Sequence, residues 1–307
     1  LKIAVISGGF SEEQYASRES GRLIADALTN LEHDVKILEY DKNFFDGIRN
    51  FAPDIAFPFV QGKHHGDGTV QALLELAGIK YIGSRPQYAA IINHKTACKR
   101  IWRASDILTP DFFEYSRDEY ENEGYSGFVQ KLRDNGLEMP VVVKPPTQGN
   151  RFGMVFVEDV RSFDELEKSF KYDETLLVEK YVEGRFFAQG VFEKDGKMTT
   201  LPPVEILDNS SSSSRFKIYA GGSEVVAHDF TVQRLSEIGG ISLQAVSLTG
   251  AAGFARLDYH LCCDKLYLLE INAFPGLVPG YSSMTACIEA AGYKYDEFIE
   301  AVISTAK

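Results

Sequence analysis

Leu268-Leu269-Glu270-Ile271-Asn272-Ala273-Phe274-Pro275-Gly276 passes from an apolar strand into a proline-glycine turn while carrying one acid and one amide. Upstream, Gly253-Phe254-Ala255-Arg256-Leu257-Asp258-Tyr259-His260-Leu261 has the same strand character, and the polar Cys263-Asp264-Lys265 between them reads as the turn of a β-hairpin. Side chains alternate faces along a strand, so Arg256, Asp258 and His260 are expected on one face, and Leu268, Glu270 and Asn272 on one face of the partner. A turn centred near Asp264 sets Asp258 opposite Glu270. Facing carboxylates repel by roughly 1 to 4 kcal/mol at about 4 Å, depending on local dielectric, so a positive charge belongs between them. Magnesium suits two carboxylates and an amide oxygen, and it also bridges phosphates. A salt bridge from Arg256 or another basic neighbour is the plainer alternative.

The chain has 307 residues, enough for two or three domains with substantial cores. Its net charge of -12 argues against a nucleic-acid partner, because neutralising a phosphate backbone takes clustered Lys and Arg. The four cysteines, Cys98, Cys262, Cys263 and Cys287, lack metal-site spacing, and the neighbours Cys262 and Cys263 are expected on opposite faces of an extended segment. No apolar run of about 18 residues and no signal peptide is present, so no membrane partner and a cytoplasmic location are expected.

Working outward to the amino end, Lys2 to Ile6, Ser7-Gly8-Gly9 and a helical stretch from about Glu12 to Leu28 read as strand, turn and helix. Strands near residues 34–39, 55–60 and 80–82 alternate with helical stretches near 44–51 and 69–77, which predicts a parallel sheet. A polar glycine-rich loop, 61–68, follows the third strand; its His64-His65 pair reads as solvated. Residues 86–105 read as one helical stretch with Asn93 as a candidate N-cap, its Lys95, Lys99, Arg100 and Arg103 mostly accounted for by a solvated face. Residues 109–127 show little periodicity and read as a connector.

A second composition starts at Met139, where a β-branched strand ends in Lys144 and enters a loop through Gly149, Asn150, Arg151 and Gly153. Lysine at a strand end beside such a loop has the character of a phosphate clamp. Ser162 to Glu165 has capping-box spacing ahead of a short helix, and a strand from Thr175 leads into Glu179-Lys180-Tyr181-Val182-Glu183-Gly184. A hairpin turned by Asp195-Gly196 follows. The serine run 210–214 beside Arg215 and Lys217 reads as a linker or as a lid over a charged substrate. Residues 231–249 read as a helix interrupted at Gly239-Gly240, and the chain closes as helices.

Taken in order, Lys95, the Lys144 strand with its glycine loop, Glu179 to Val182, Arg256-Leu257-Asp258 and Glu270 to Gly276 resemble the ATP-grasp ligases. Their spacing is similar to that of the D-alanine-D-alanine ligase family, and Ser7 to Glu13, Ser17 to Gly21, Gly66 to Gln71 and Tyr81 to Ser84 extend the likeness over nearly the whole chain.

This resemblance implies an α/β fold, α+β in the carboxyl half: an amino-terminal parallel-sheet domain over 1–92, a central ATP-grasp subdomain over 93–182, and a carboxyl-terminal ATP-grasp subdomain over 183–307 carrying the metal site and lid. It implies ATP phosphates on Lys95, Lys144 and the loop at Gly149, and adenine lined by Glu179, Lys180, Tyr181 and Val182. Asp258, Glu270 and Asn272 would hold two magnesium ions, and Lys217 would reach the γ-phosphate. Glu13 would grip the first substrate's amino group, while Arg256 and the Gly276 N–H would stabilise an oxyanion. The implied reaction joins an amino-acid-like carboxylate to an amine through an acyl phosphate, and family members are often homodimers.

The chain also departs from the family pattern. Arg185-Phe186-Phe187 stands where a ribose-gripping glutamate is expected, leaving Glu183 as the nearby acid. Asn150-Arg151 replaces paired serines, and Ile218 replaces a lid tyrosine. Tyr281 occupies the ungapped position of a substrate-holding serine, with Ser282 and Ser283 beside it. A cation at Arg151 suits a larger or more acidic first substrate. The expectation is therefore a carboxylate-amine ligase with changed substrates; the alternatives are a true D-alanine-D-alanine or D-alanine-D-serine ligase, and a degenerate ATP-binding regulator.

Overall fold

The structure, a computed structural model, describes residues 1–61, 66–207, 223–227 and 229–307. His64, His65, the serine run, Lys217 and Ile218 lie outside the described residues.

The chain opens with β1 (Lys2–Ser7), α1 (Gln14–Asn30), β2 (Asp34–Glu39), α2 (Phe44–Phe51), β3 (Ile55–Pro58), α3 (Thr69–Leu76) and β4 (Lys80–Tyr81). The strands form a parallel sheet in the order β2-β1-β3-β4. Alternation along β1 divides its side chains between two cores: Ile3 and Val5 pack with Ile24 and Leu28 of α1, whereas Ala4 and Ile6 pack with Phe44, Ile48 and Leu74 on the other face. A sheet covered on both faces needs such continuous apolar strands.

Next come α4 (Pro86–Asn93) and α5 (Lys95–Ala104), two helices in place of the single expected stretch. His94 adopts an extended conformation between them, and its ring accepts from the Ala97 N–H at 3.4 Å, so His94 and not Asn93 caps α5.

The central sheet, order β5-β8-β6-β7, is antiparallel and contains β5 (Phe112–Ser116), α6 (Arg117–Asp134), β6 (Val141–Lys144), β7 (Val155–Val157), α7 (Val160–Asp164), α8 (Leu166–Ser169) and β8 (Thr175–Lys180). The expected connector at 109–127 is therefore a strand and the start of a helix. Ser116 and Glu119 close a capping box on α6, while a kink at Gly124 (φ 58°) breaks the periodicity that would have revealed the helix. The cap of α7 is Asp159, reciprocated by Ser162, three residues earlier than expected.

The remaining elements are β9 (Arg185–Lys194), β10 (Lys197–Thr200), β11 (Val204–Leu207), β12 (Ser223–Val226), α9 (Val232–Thr249), β13 (Phe254–Cys262), β14 (Lys265–Asn272), α10 (Ser283–Ala290) and α11 (Tyr295–Ile303). The strands run β12-β11-β9-β13-β14, with β10 on β9. α9 continues through Gly239-Gly240 rather than breaking. Each glycine costs a helix about 1 kcal/mol, which burial of Ile238, Ala245 and Val246 against the sheet offsets.

Two expectations for the β13–β14 hairpin change. Asp258 pairs with Glu270, but the register shifts between Asp258 and Tyr259, so that Tyr259 pairs with Leu268. The extra residue turns Leu268 into the core with Tyr259, away from the face of Glu270 and Asn272. At the hairpin end Cys263 and Asp264 both have positive φ, 49° and 63°, as a tight primed turn requires. Cys263 therefore leaves the extended path, and the sulfurs of Cys262 and Cys263 lie 3.7 Å apart instead of on opposite faces.

One core joins the first and last sheets. Phe57 meets Phe254 at 6.2 Å and Phe59 meets Phe274 at 6.1 Å between ring centroids, and α11 packs on α1. That core fixes the start of α1 next to the end of β14. Among the described residues no helix is long and apolar enough to cross a membrane.

Candidate active site

The ends of β13 and β14 supply the centre of the site. Asp258 and Glu270 are register partners, and the Asn272 amide nitrogen lies 3.3 Å from Asp258 Oδ2 and 3.3 Å from Glu270 Oε1. Arg256 donates to Asp258 through Nε and Nη2, both at 2.7 Å, so the salt bridge weighed as the plainer alternative is present. Burial raises the Asp258 pKa despite Arg256, with Glu270 adding to the effect. Burial also acts on Glu270, but Lys95, Lys144 and Arg256 outweigh it and hold the carboxyl down to about 2. A buried carboxylate, Asp258, a half-buried one, Glu270, and the amide beside both form an oxygen-rich donor set that fits a hard divalent cation. Among the described residues no three or more His, Cys, Asp or Glu side chains form a metal cage, so such an ion would take its remaining ligands from phosphate and water.

The cations stand on one side of this platform. Lys95 Nζ donates to the Gln148 carbonyl at 2.5 Å and lies 3.5 Å from Glu270. Lys144, at the end of β6, meets Glu179 at 2.5 Å, and Lys99 meets the other oxygen of Glu179 at 2.8 Å. Burial disfavours charge on Glu179, yet Lys144 and Lys99 hold its carboxyl at about 2. Lys99 is fully buried, and burial pulls its pKa down to about 8; its Nζ also donates to Thr109 Oγ1 at 2.6 Å. The solvated face assigned to Lys99 is thus wrong. Its spacing of four from Lys95, which puts both on one helix face, was the available signal.

Residues 181–184 connect β8 to β9 as a short strap. Val182 is buried, Lys180 and Glu183 are exposed, and the Tyr181 ring meets Phe156 at 5.8 Å. The Val182 carbonyl lies 2.6 Å from His260 Nδ1, and the imidazole meets Phe186 edge-on at 5.3 Å. A donor is needed opposite a carbonyl, so Nδ1 carries the proton. Sequence reasoning put His260 on the Asp258 face without giving it a role. Arg185 turns to Glu205 and Asp229 through two-pronged pairs, the shortest at 2.6 Å.

Across the site, Glu13 sits at the start of α1, nearly buried, and Asn150 Nδ2 donates to its Oε1 at 2.5 Å. Burial raises the Glu13 pKa, with Lys95 opposing. Asn150 and Arg151 both take left-handed φ, 45° and 63°. A Cβ on Gly149 would stand 2.7 Å from Glu13 Oε1, so the loop backbone approaches that carboxylate closely. Beyond β14, Ser282 caps α10 and also donates to the Gly276 carbonyl. Tyr281 points outward, 79% exposed, and Ser283 is buried. Of these three residues, Ser282 is the one turned to Gly276.

The family model described as D-ala D-ala ligase C-terminus matches residues 101–304. The D-alanine--D-alanine ligase of Moorella thermoacetica is 30% identical over 310 residues, covering 100% of this chain and 99% of that protein. The Aquifex aeolicus enzyme of the same name is 29% identical over 309 residues, covering 99% and 100%. The crystal structure of D-alanine--D-alanine ligase from Bacillus anthracis complexed with ATP is similar in fold, with a TM-score of 0.81 at 27% identity over 99% of this chain and 97% of that one.

Proposed function

Because the chain belongs to the D-alanine-D-alanine ligase family of ATP-grasp carbon-nitrogen ligases, we propose that it activates an amino-acid-like carboxylate with ATP and transfers the acyl group to an amine. The observation that carries this reading is the Asp258–Glu270 register pair with Asn272 between them and Lys95 and Lys144 alongside.

In this reading Lys95 and Lys144 meet the phosphates, and the loop at Gly149 closes over them. Glu179, fixed by its two lysines, and the strap through Lys180, Tyr181, Val182 and Glu183 receive the nucleoside. Asp258, Glu270 and Asn272 hold magnesium, in two ions, which when bound offsets charge on the transferring phosphoryl group. The first substrate's ammonium faces Glu13, oriented by Asn150. Its carboxylate oxygen bonds to the γ-phosphorus as the bond to the bridging oxygen breaks and ADP leaves. The amine of the second substrate, held by its carboxylate at Ser282, then attacks the acyl carbon; phosphate leaves and the amine gives up a proton. Arg256 already engages Asp258 through Nε and Nη2, so we assign Nη1, with the Gly276 N–H, to the tetrahedral oxyanion. Lys217 and Ile218 belong to the same reading as lid residues. We also propose the three-part division at 92/93 and 182/183, small amino-acid-like partners, a homodimer and a cytoplasmic setting.

The relatives' shared name favours a second, narrower reading in which both substrates are D-alanine. The replaced positions Asn150, Arg151 and Tyr281 favour a changed substrate. Oxygen-18 scrambling between the β,γ-bridge and the non-bridging β-phosphate positions of ATP tests the acyl phosphate, with each candidate acid supplied alone. Scrambling that depends on the acid supports the reading, and an acid that becomes amidated without scrambling overturns it. Turnover with D-alanine as sole amino acid decides between the substrates.

A further inference from the structure

The tip of the β13–β14 hairpin holds two neighbouring thiols, and all four cysteines are free. Cys98 and Cys287 are buried, whereas Cys263 is exposed and Cys262 is half-buried. The turn conformation at Cys263 (φ 49°) swings its sulfur back to 3.7 Å from that of Cys262. Consecutive Cα atoms stand about 3.8 Å apart across a trans peptide, below the about 4.4 to 6.8 Å range that a disulfide prefers, so this pair is disposed to remain two thiols. For a centre with bonds of about 2.3 Å to each sulfur, the observed separation subtends an angle close to tetrahedral. The pair is thus spaced to hold one soft atom between its sulfurs after a small closing of that separation.

The same turn supports the strap. Gly184 packs on the hairpin so closely that a Cβ there would stand 2.3 Å from the Leu261 carbonyl oxygen and 3.3 Å from Cys262 Cα. Leu261 is also the register partner of Arg185, where the strap enters β9.

We propose that Cys262 and Cys263 form a chelating dithiol site for a soft, trivalent thiophile of the organoarsenical class, and that its occupation loosens ATP binding through Gly184. The first part stands on the thiol geometry alone; the second rests on the nucleotide reading of the strap. With an arsenoso compound, both S–H bonds give way to As–S bonds, the arsenic loses its oxygen, and the two protons leave with that oxygen as water. Arsenic remains trivalent and no electrons are transferred.

The test treats the whole native protein with phenylarsine oxide, then washes with excess monothiol and reads intact mass and ATP affinity. One arsenical per chain, less one water, should survive the monothiol and be removed by a dithiol, and Cys262→Ser and Cys263→Ser should each retain at least tenfold less. The adduct should bind ATP about fivefold more weakly than untreated protein, and dithiol should restore it. Wild type without a retained arsenical, or single variants retaining as much as wild type, overturns the site. A retained adduct with unchanged ATP affinity overturns the coupling. Untreated protein that binds no ATP overturns the nucleotide reading and the coupling with it, while the mass result still decides the site.

Discussion

Asp258 and Glu270 stand opposite each other on adjacent antiparallel strands, and the Asn272 amide nitrogen is 3.3 Å from an oxygen of each. Arg256 serves only the first of them directly, by two hydrogen bonds. If this pair is the cation platform, Glu270→Gln should lower kcat by about 100- to 1000-fold, the usual cost of removing a group that stabilises transition-state charge. Turnover at saturating magnesium and ATP checks this. A variant within threefold of wild type would remove the metal role.

His260 holds the strap by one hydrogen bond to the Val182 carbonyl. His260→Phe keeps a ring against Phe186 but loses that bond, whose net value is about 0.5 to 1.5 kcal/mol. The expected result is a rise of about 3- to 10-fold in KM for ATP with kcat at saturating ATP unchanged. Equal loss in kcat would mean that His260 acts in the chemistry instead.

Asn150 donates to Glu13 across the gap between the first and central sheets. A hydrogen bond to a charged group is worth about 1.5 to 3 kcal/mol, so Asn150→Ala should raise KM for the first amino acid by about 10- to 100-fold. KM for ATP should stay within about twofold of wild type. Initial rates with each substrate varied separately distinguish this from a general loss of the loop.

The Glu179 carboxyl, held at about 2 in the folded chain although burial opposes it, is an acid whose folded pKa lies below the unfolded value of about 4.3. Its stabilisation is therefore complete above the unfolded value and disappears as pH falls from about 4.3 through about 2. Urea unfolding of wild type and Glu179→Gln should show a gap at pH 7 that narrows at pH 3, by on the order of 1 to 2 kcal/mol. A gap of the same size at both pH values would contradict the buried Lys99–Glu179–Lys144 arrangement.

The parallel sheet, the hairpin and the Asp258–Glu270 pairing were all legible in the sequence, because strand alternation and turn position are local properties. Leu268 was misplaced because a bulge is set by how β14 meets β13, which no period within one strand reveals. The strand and helix at 112–134 were hidden by a kink at Gly124 and by a polar surface with little periodicity. Lys99 and His260 depend on partners 80 and 78 residues away, Glu179 and Val182. Their character as buried groups comes from tertiary packing, so a helical spacing for Lys99 and a strand face for His260 were all that the sequence offered.

Phosphate release from magnesium-ATP, measured with purified protein across a panel of amino-acid pairs including D-alanine alone, tests the central claim most directly. Ligation predicts release that requires amino acids, matches the product bond one to one, and falls by at least 100-fold in Glu270→Gln. ATP that binds but is not split with any pair, or is split at the same rate with and without amino acids, would contradict it.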